Sequence, residues 1–367
     1  MATLRRNPFT PTFGHAPFAF AGRDELIDDV IEGLANQPGD PNRATIFLGP
    51  RGAGKTVLMN AIAREASSMG WINANAVARR GLLEDLMYAL KTSAAHILDE
   101  QSLPQLTSVK VGPVGASWES PQECIPWRFR FQQIIEELNR QDVGVLFTID
   151  EVNPECEELI EFISFFQLFV SEDRDVAMLL AGLPSMVSAL LQSDYVSFVR
   201  RAFQRHLGTI PDEDIRDAFL STVTENGKTI GEDALDLAVK AAEGFPFAMQ
   251  LIGYSAWRYA KDEKELTRAH VEKAIRRSYQ EMEHSVVQPT LRECSQREVE
   301  YLAAMAADEG PSVTSEVAAR MGISMTNASN LRRRLIDRGV IKDLRMGLVD
   351  FDMPAFKTYL REHPLGY

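Results

Sequence analysis

Eight consecutive residues, Gly49-Pro50-Arg51-Gly52-Ala53-Gly54-Lys55-Thr56, constrain this chain more than any other stretch. They satisfy G-x-x-x-x-G-K-[ST] at every specified position, and the apolar run Ala44-Thr45-Ile46-Phe47-Leu48 leads straight into them. Strand, glycine-rich turn and helix form the context in which this pattern carries chemistry. The glycines leave backbone N–H groups room to curl around phosphate oxygens. Lys55 is placed to reach the β- and γ-phosphates, Thr56 to ligate Mg2+, and the helix to offer the positive end of its dipole. The expected ligand is a nucleoside triphosphate, held by Gly49, Pro50, Arg51, Gly52, Ala53, Gly54, Lys55 and Thr56.

A second buried strand is expected at 143–149 from its length and β-branched content, and Asp150-Glu151 closes it with two carboxylates. Ligands of open parallel sheets gather at the C-terminal edge of the strands. There Asp150 is expected to complete the Mg2+ shell and Glu151 to polarise the attacking water, which fits hydrolysis. Further strand-like runs at 71–77 and 176–180 alternate with helical patterns over about 200 residues, predicting an α/β fold. The expected architecture is a phosphate-loop parallel sheet with helices on both faces, then an all-α region, then a C-terminal winged-helix unit. The divisions fall at 1–210, 211–290 and 291–367. Residues 7–20 read as an extended arm and 101–121 as a hairpin insertion.

Charge and cysteine usage narrow the function classes. With 39 Lys and Arg against 52 Asp and Glu, the net charge of −13 argues against a protein that coats nucleic acid nonspecifically. From Ser295 onward ten basic residues balance ten acidic ones, so a nucleic-acid contact is expected there if anywhere. Cys124, Cys156 and Cys294 are odd in number and far apart, which argues against a disulfide framework or a zinc site. No apolar stretch is long enough to span a bilayer. The expectation is a cytoplasmic protein with no membrane partner.

With the phosphate loop and acidic pair in place, the chain resembles the AAA+ ATPases, in the branch of the archaeal and eukaryotic replication initiators. The likeness rests on residues 22–56, 143–151 and 176–290. It implies ATP, ADP and Mg2+ as ligands, a helical lid over the nucleotide, and Gly22 and Arg23 running past the adenine. The family's arginine finger, reaching a neighbouring copy, would fall at Arg200 or Arg201; a solvated helix face is the alternative, and a finger in trans would need a homo-oligomer. Two family features are missing. Ala181-Gly182-Leu183-Pro184 follows the strand where a polar sensor is expected, leaving Ser185 as the nearest hydroxyl. Phe247 follows Gly244-Phe245-Pro246 where initiators often carry an arginine. Slow turnover, with ATP acting as a switch, is the consequence.

Residues 314–327 read as a helix, a turn at Gly322, and a second helix capped by Ser324. Ala328, Leu331 and Leu335 give the second helix a core-facing stripe. Thr326, Asn330 and Arg333 share its other side, with Asn327 and Arg334 beside them, and the runs around Met346-Gly347 would form a wing. Asn and Arg are the side chains that read adenine and guanine edges in the major groove of double-stranded DNA. A winged helix also serves as a protein contact, or as a lid on its own ATPase, and the sequence leaves these alternatives open.

Overall fold

The computed structural model describes residues 6–12, 17, 19–98 and 127–364. The hairpin expected at 101–121 lies outside the described residues. Helix α1 (Asp24–Ala35), strand β1 (Ala44–Leu48), α2 (Lys55–Ser68), β2 (Ile72–Val77), α3 (Leu82–Ala94) and α4 (Trp127–Arg140) open the α/β part. They are followed by β3 (Val145–Asp150), α5 (Glu157–Ser171), β4 (Val176–Gly182), α6 (Pro184–Gln192) and β5 (Phe203–His206). The five strands form one parallel sheet in the order β2-β3-β4-β1-β5.

The period-2 alternation of the strands decides which helices cover which face. Ile46, Leu48, Val145, Phe147, Ile149, Met178 and Leu180 join one core with α3, α4, α5 and α6. Phe47, Leu146, Ala177, Leu179 and Ala181 point the other way, into a core made by α1 and α2. Phe162, Phe165, Phe166 and Phe169 of α5 are all buried; Phe162 and Phe165 meet Phe131 edge-on, Phe162 and Phe166 meet Phe147, and Phe169 packs on Phe165. Each such ring withdraws about 150–250 Å² from water, so this layer anchors the strand that ends in Asp150.

Beyond the sheet come α7 (Asp212–Glu225), β6 (Thr229–Ile230), α8 (Glu232–Ala242), α9 (Pro246–Ala260), β7 (Glu265–Leu266) and α10 (Arg268–Met282). The stretch expected to be all helical therefore carries one small parallel pair, β6 with β7. Strands of two residues are too short to show a period in sequence. The N-terminal arm is pinned to this region. Phe9 is buried against Phe219, at 5.0 Å between ring centroids, and its ring leaves no room for a side chain at Gly253. Gln250 accepts from the Thr10 amide at 2.9 Å.

A π-helical turn at Glu283–Val287 carries the path into α11 (Gln288–Glu293). The C-terminal unit then has α12 (Gln296–Ala306), β8 (Ser312–Val313), α13 (Thr314–Met321) and α14 (Met325–Asp337). It closes with β9 (Ile341–Arg345), β10 (Leu348–Phe351) and α15 (Pro354–Glu362). Its three strands lie in the order β8-β10-β9, antiparallel throughout. Ser295 and Glu298 cap α12 reciprocally, and Ser324 accepts from the Asn327 amide to cap α14. The core of this unit is continuous with the preceding helices, since Phe245, Ala248, Leu251 and Met282 pack with Tyr301, Val349, Met353 and Phe356. No helix among the described residues is long and apolar enough to cross a membrane.

Candidate nucleotide site

Parallel strand register brings the two sequence motifs together. β1 ends at Leu48 and runs into the phosphate loop, and β3, two strands away, ends at Asp150. Both therefore empty onto the same edge of the sheet. Gly52 (φ +80°) and Gly54 (φ +85°) adopt the left-handed conformation that lets successive amides face inward. Gly49 is required for another reason. A Cβ there would stand 2.5 Å from the carbonyl oxygen of Leu207, the residue that follows β5. Close approach of the loop to that backbone thus depends on the missing side chain.

The chemistry-bearing side chains converge at the start of α2. The Thr56 hydroxyl donates to the Asp150 carboxylate. Lys55 donates from Nζ to the carbonyls of Gly49 and Pro50, each at 2.7 Å. Burial pushes the Lys55 ammonium down to about 8, against the pull of Asp150, Asp352 and Glu151 and with the push of Arg51. Glu151 is exposed and sits at φ +54°, a conformation a residue other than glycine adopts at a cost of about 1–3 kcal/mol and mostly at functional positions. Its amide is tied to Asp150 Oδ1 at 2.8 Å, which holds the turn. Thr56 and Asp150 present two hard oxygen donors side by side, a set suited to Mg2+.

The remaining expected residues divide by position. Gly22 (φ +55°) packs against Asp214 of α7, and Arg23 donates to the Gly208 carbonyl at 2.7 Å. Burial lowers Arg23, with Asp214 acting the other way. These two residues thus bridge the sheet to α7, beside the Leu207 backbone that meets Gly49. Arg51 turns its guanidinium away from the loop to Thr290 at 3.2 Å and Glu293 at 3.4 Å, both on α11. Arg200 and Arg201 are exposed just before β5, and Arg200 donates to the Leu191 carbonyl at 2.6 Å. In the parallel register they lie at the opposite end of the sheet from their own phosphate loop.

On α14, Thr326, Asn327, Asn330, Arg333 and Arg334 are all exposed, while Ala328 and Leu335 are buried. Arg332 and Arg338 are already engaged, by Asp343 and by Glu298 respectively.

Two further contacts bring the C-terminal unit to the sheet and the loop. Ser185 donates to the carbonyl of Asp337, the last residue of α14, at 2.7 Å. Met353, at the turn from β10 into α15, lies against Gly52 of the loop. Nothing local in the sequence marks these contacts, because each joins residues from distant parts of the chain.

A family model described as a domain of unknown function (DUF8462) matches residues 284–360. No curated protein matches the sequence. Among solved structures, a Walker-type ATPase of Pyrococcus abyssi is similar at a TM-score of 0.67 and 17% identity, over 93% of this chain and 96% of that one. The ORC2 protein of Aeropyrum pernix is similar at 0.63 and 12% identity, over 96% and 97% of the two chains. Cdc6p of Pyrobaculum aerophilum is similar at 0.51 and 15% identity, over 97% and 98%. The likeness runs through nearly the whole chain, and the protein therefore shares the fold of these structures, a phosphate-loop parallel sheet flanked by helices.

Proposed function

We propose that this chain binds Mg-ATP on residues 49–56, hydrolyses it slowly, and uses the nucleotide state to set the position of a C-terminal winged helix that contacts double-stranded DNA. The observation that carries the reading is the meeting of Thr56 with Asp150, with Lys55 and Glu151 beside them. Bound Mg2+ would supply charge neutralisation at the phosphates, with Thr56 and Asp150 holding it. Lys55 contributes the cation for the β- and γ-phosphates, and Glu151 orients and deprotonates the attacking water. The A. pernix ORC2 protein was solved in ADPNP–ADP complexes, which supports a nucleotide at the equivalent place here. Gly22 and Arg23 would border the adenine, between the sheet and a lid formed by 211–290.

Arg200 and Arg201, far from their own loop, fit a finger only in trans, so full turnover would require a homo-oligomer. The order helix, strand, two helices and hairpin in 291–367, with five exposed polar residues on α14, supports the winged-helix assignment and its use on DNA. A second reading has its own support. The end of α14 already rests on Ser185, so the unit makes protein contacts, and a regulatory NTPase that binds a protein partner would use it in that way.

Two assays decide between these. Steady-state turnover should be measurable in the wild type and lost in Glu151→Gln, which should still bind ATP. Equal turnover in both removes Glu151 from its role. Duplex affinity measured across a salt series, with ATP and with ADP, should show a slope of about −0.9 per phosphate contact in log K against log salt. A flat line at low affinity in both states favours the protein-contact reading.

A further inference from the structure

The C-terminal unit is seated on the edge of the sheet at two places. At one, the Met353 methyl lies 3.2 Å from where a Cβ on Gly52 would stand, with the Phe247 Cβ 3.9 Å from the same point. Asp352, next to Met353, lies close enough to Lys55 for each charge to act on the other. At the other, Ser185 holds the Asp337 carbonyl, and a Leu183 methyl lies 3.0 Å from where a Cβ on Gly339 would stand. Arg51 adds a strap from the loop to Thr290 and Glu293.

We propose that this unit is a gate on its own nucleotide site: the turn Asp352-Met353-Pro354 covers the phosphate loop in cis, and nucleotide enters or leaves only when the unit lifts off Gly52, Leu183 and Ser185. The proposal rests on the nucleotide reading of that loop. Its first support is the nature of the seat. Met353 is buried in the core that includes Phe245, Ala248 and Met282, so it is held firmly from behind.

The second support is the chemistry of the seat. Met353 meets Gly52 and Leu183 meets Gly339 through methyl groups, with one hydrogen bond from Ser185 beside them. Contacts of that kind part without leaving a charge unpaired, as a gate requires. The third support is connectivity. The C-terminal end of α14 is the part resting on Ser185, while Thr326, Asn327, Asn330 and Arg333 on the same helix stay exposed. Lifting the unit therefore moves that face, and a partner bound there would bias nucleotide exchange in the reciprocal sense.

The test uses the full chain and two variants that approach the seat from opposite sides. Leu183→Asp places a charge under Gly339 without touching the C-terminal core, and Met353→Ala empties the contact on Gly52. Hydrogen–deuterium exchange of amides 51–56 is read in nucleotide-free protein, and dissociation of a fluorescent ADP analogue is read by chase with excess ATP. Both variants should speed each process about tenfold, the equivalent of about 1.4 kcal/mol. Loop exchange and dissociation unchanged in both variants would overturn the gate. A wild type that binds no nucleotide overturns the reading of the site instead, and loop exchange then decides the covering alone.

Discussion

Gly49→Ala is the sharpest perturbation of the loop's seating. The added methyl would stand 2.5 Å from the Leu207 carbonyl oxygen, 3.2 Å from Leu207 Cβ and 3.3 Å from Ala53 Cβ. An ordinary carbon-to-oxygen contact is about 3.3 Å, so loop and strand must part by roughly 0.8 Å. Leu207 is poorly placed to yield, because its amide donates to the Leu48 carbonyl at 2.6 Å beside the β1–β5 ladder. Overpacking of this kind costs about 1–3 kcal/mol of stability. A shift of that size also misplaces the amides that face phosphate, so ATP affinity should fall about 10- to 100-fold, or about 1.4–2.7 kcal/mol. Calorimetric titration with ATP and a denaturant melt read the two effects. Gly310→Ala is the control, since nothing lies within 4 Å of its added methyl, and it should stay within about 0.5 kcal/mol of wild type. Wild-type affinity and stability in Gly49→Ala would refute the close-approach argument.

Other perturbations separate the roles of the remaining groups. Glu151→Gln should bind ATP normally while turnover drops about 10²- to 10⁴-fold, measured by phosphate release. Thr56→Val should leave ATP binding that no longer strengthens when Mg2+ is added, seen by titration with and without the ion. Asp352, held up at about 6 chiefly by burial and facing Lys342 and Lys55, stabilises the fold most below the ordinary carboxyl value of 3.8. That contribution is lost as pH rises through about 6, at most about 3 kcal/mol, and Asp352→Asn should flatten the loss in melts from pH 4 to 7. Arg333→Ala or Asn330→Ala should each weaken binding to a preferred duplex by about 1–3 kcal/mol in an anisotropy titration.

What could be read in advance was what the chain writes locally. Gly49 to Thr56 and Asp150-Glu151 are contiguous motifs whose neighbours are strands, so period and composition were enough to bring them to one edge of the sheet. The α14 face was legible because Ala328, Leu331 and Leu335 repeat at helical spacing. The pair β6 and β7 was invisible, since two residues carry no alternation. The contacts of Ser185 with Asp337, of Arg51 with Thr290, and of Gly52 with Met353 join distant segments, and only the packed structure brings them together. Met353 in particular reads as one more apolar residue after a strand. Its position over the loop follows from the shared core that joins it to Phe245 and Met282.

Everything proposed for the site depends on residues 49–56 holding a nucleoside triphosphate, with Lys55 as the cation. Titration of the full chain with a fluorescent ATP analogue in Mg2+ tests it most directly, with Lys55→Ala alongside. Saturable binding at one nucleotide per chain, competed by ATP and lost in Lys55→Ala, is the predicted result. Equal signal in the wild type and Lys55→Ala, or none in either, would contradict the account.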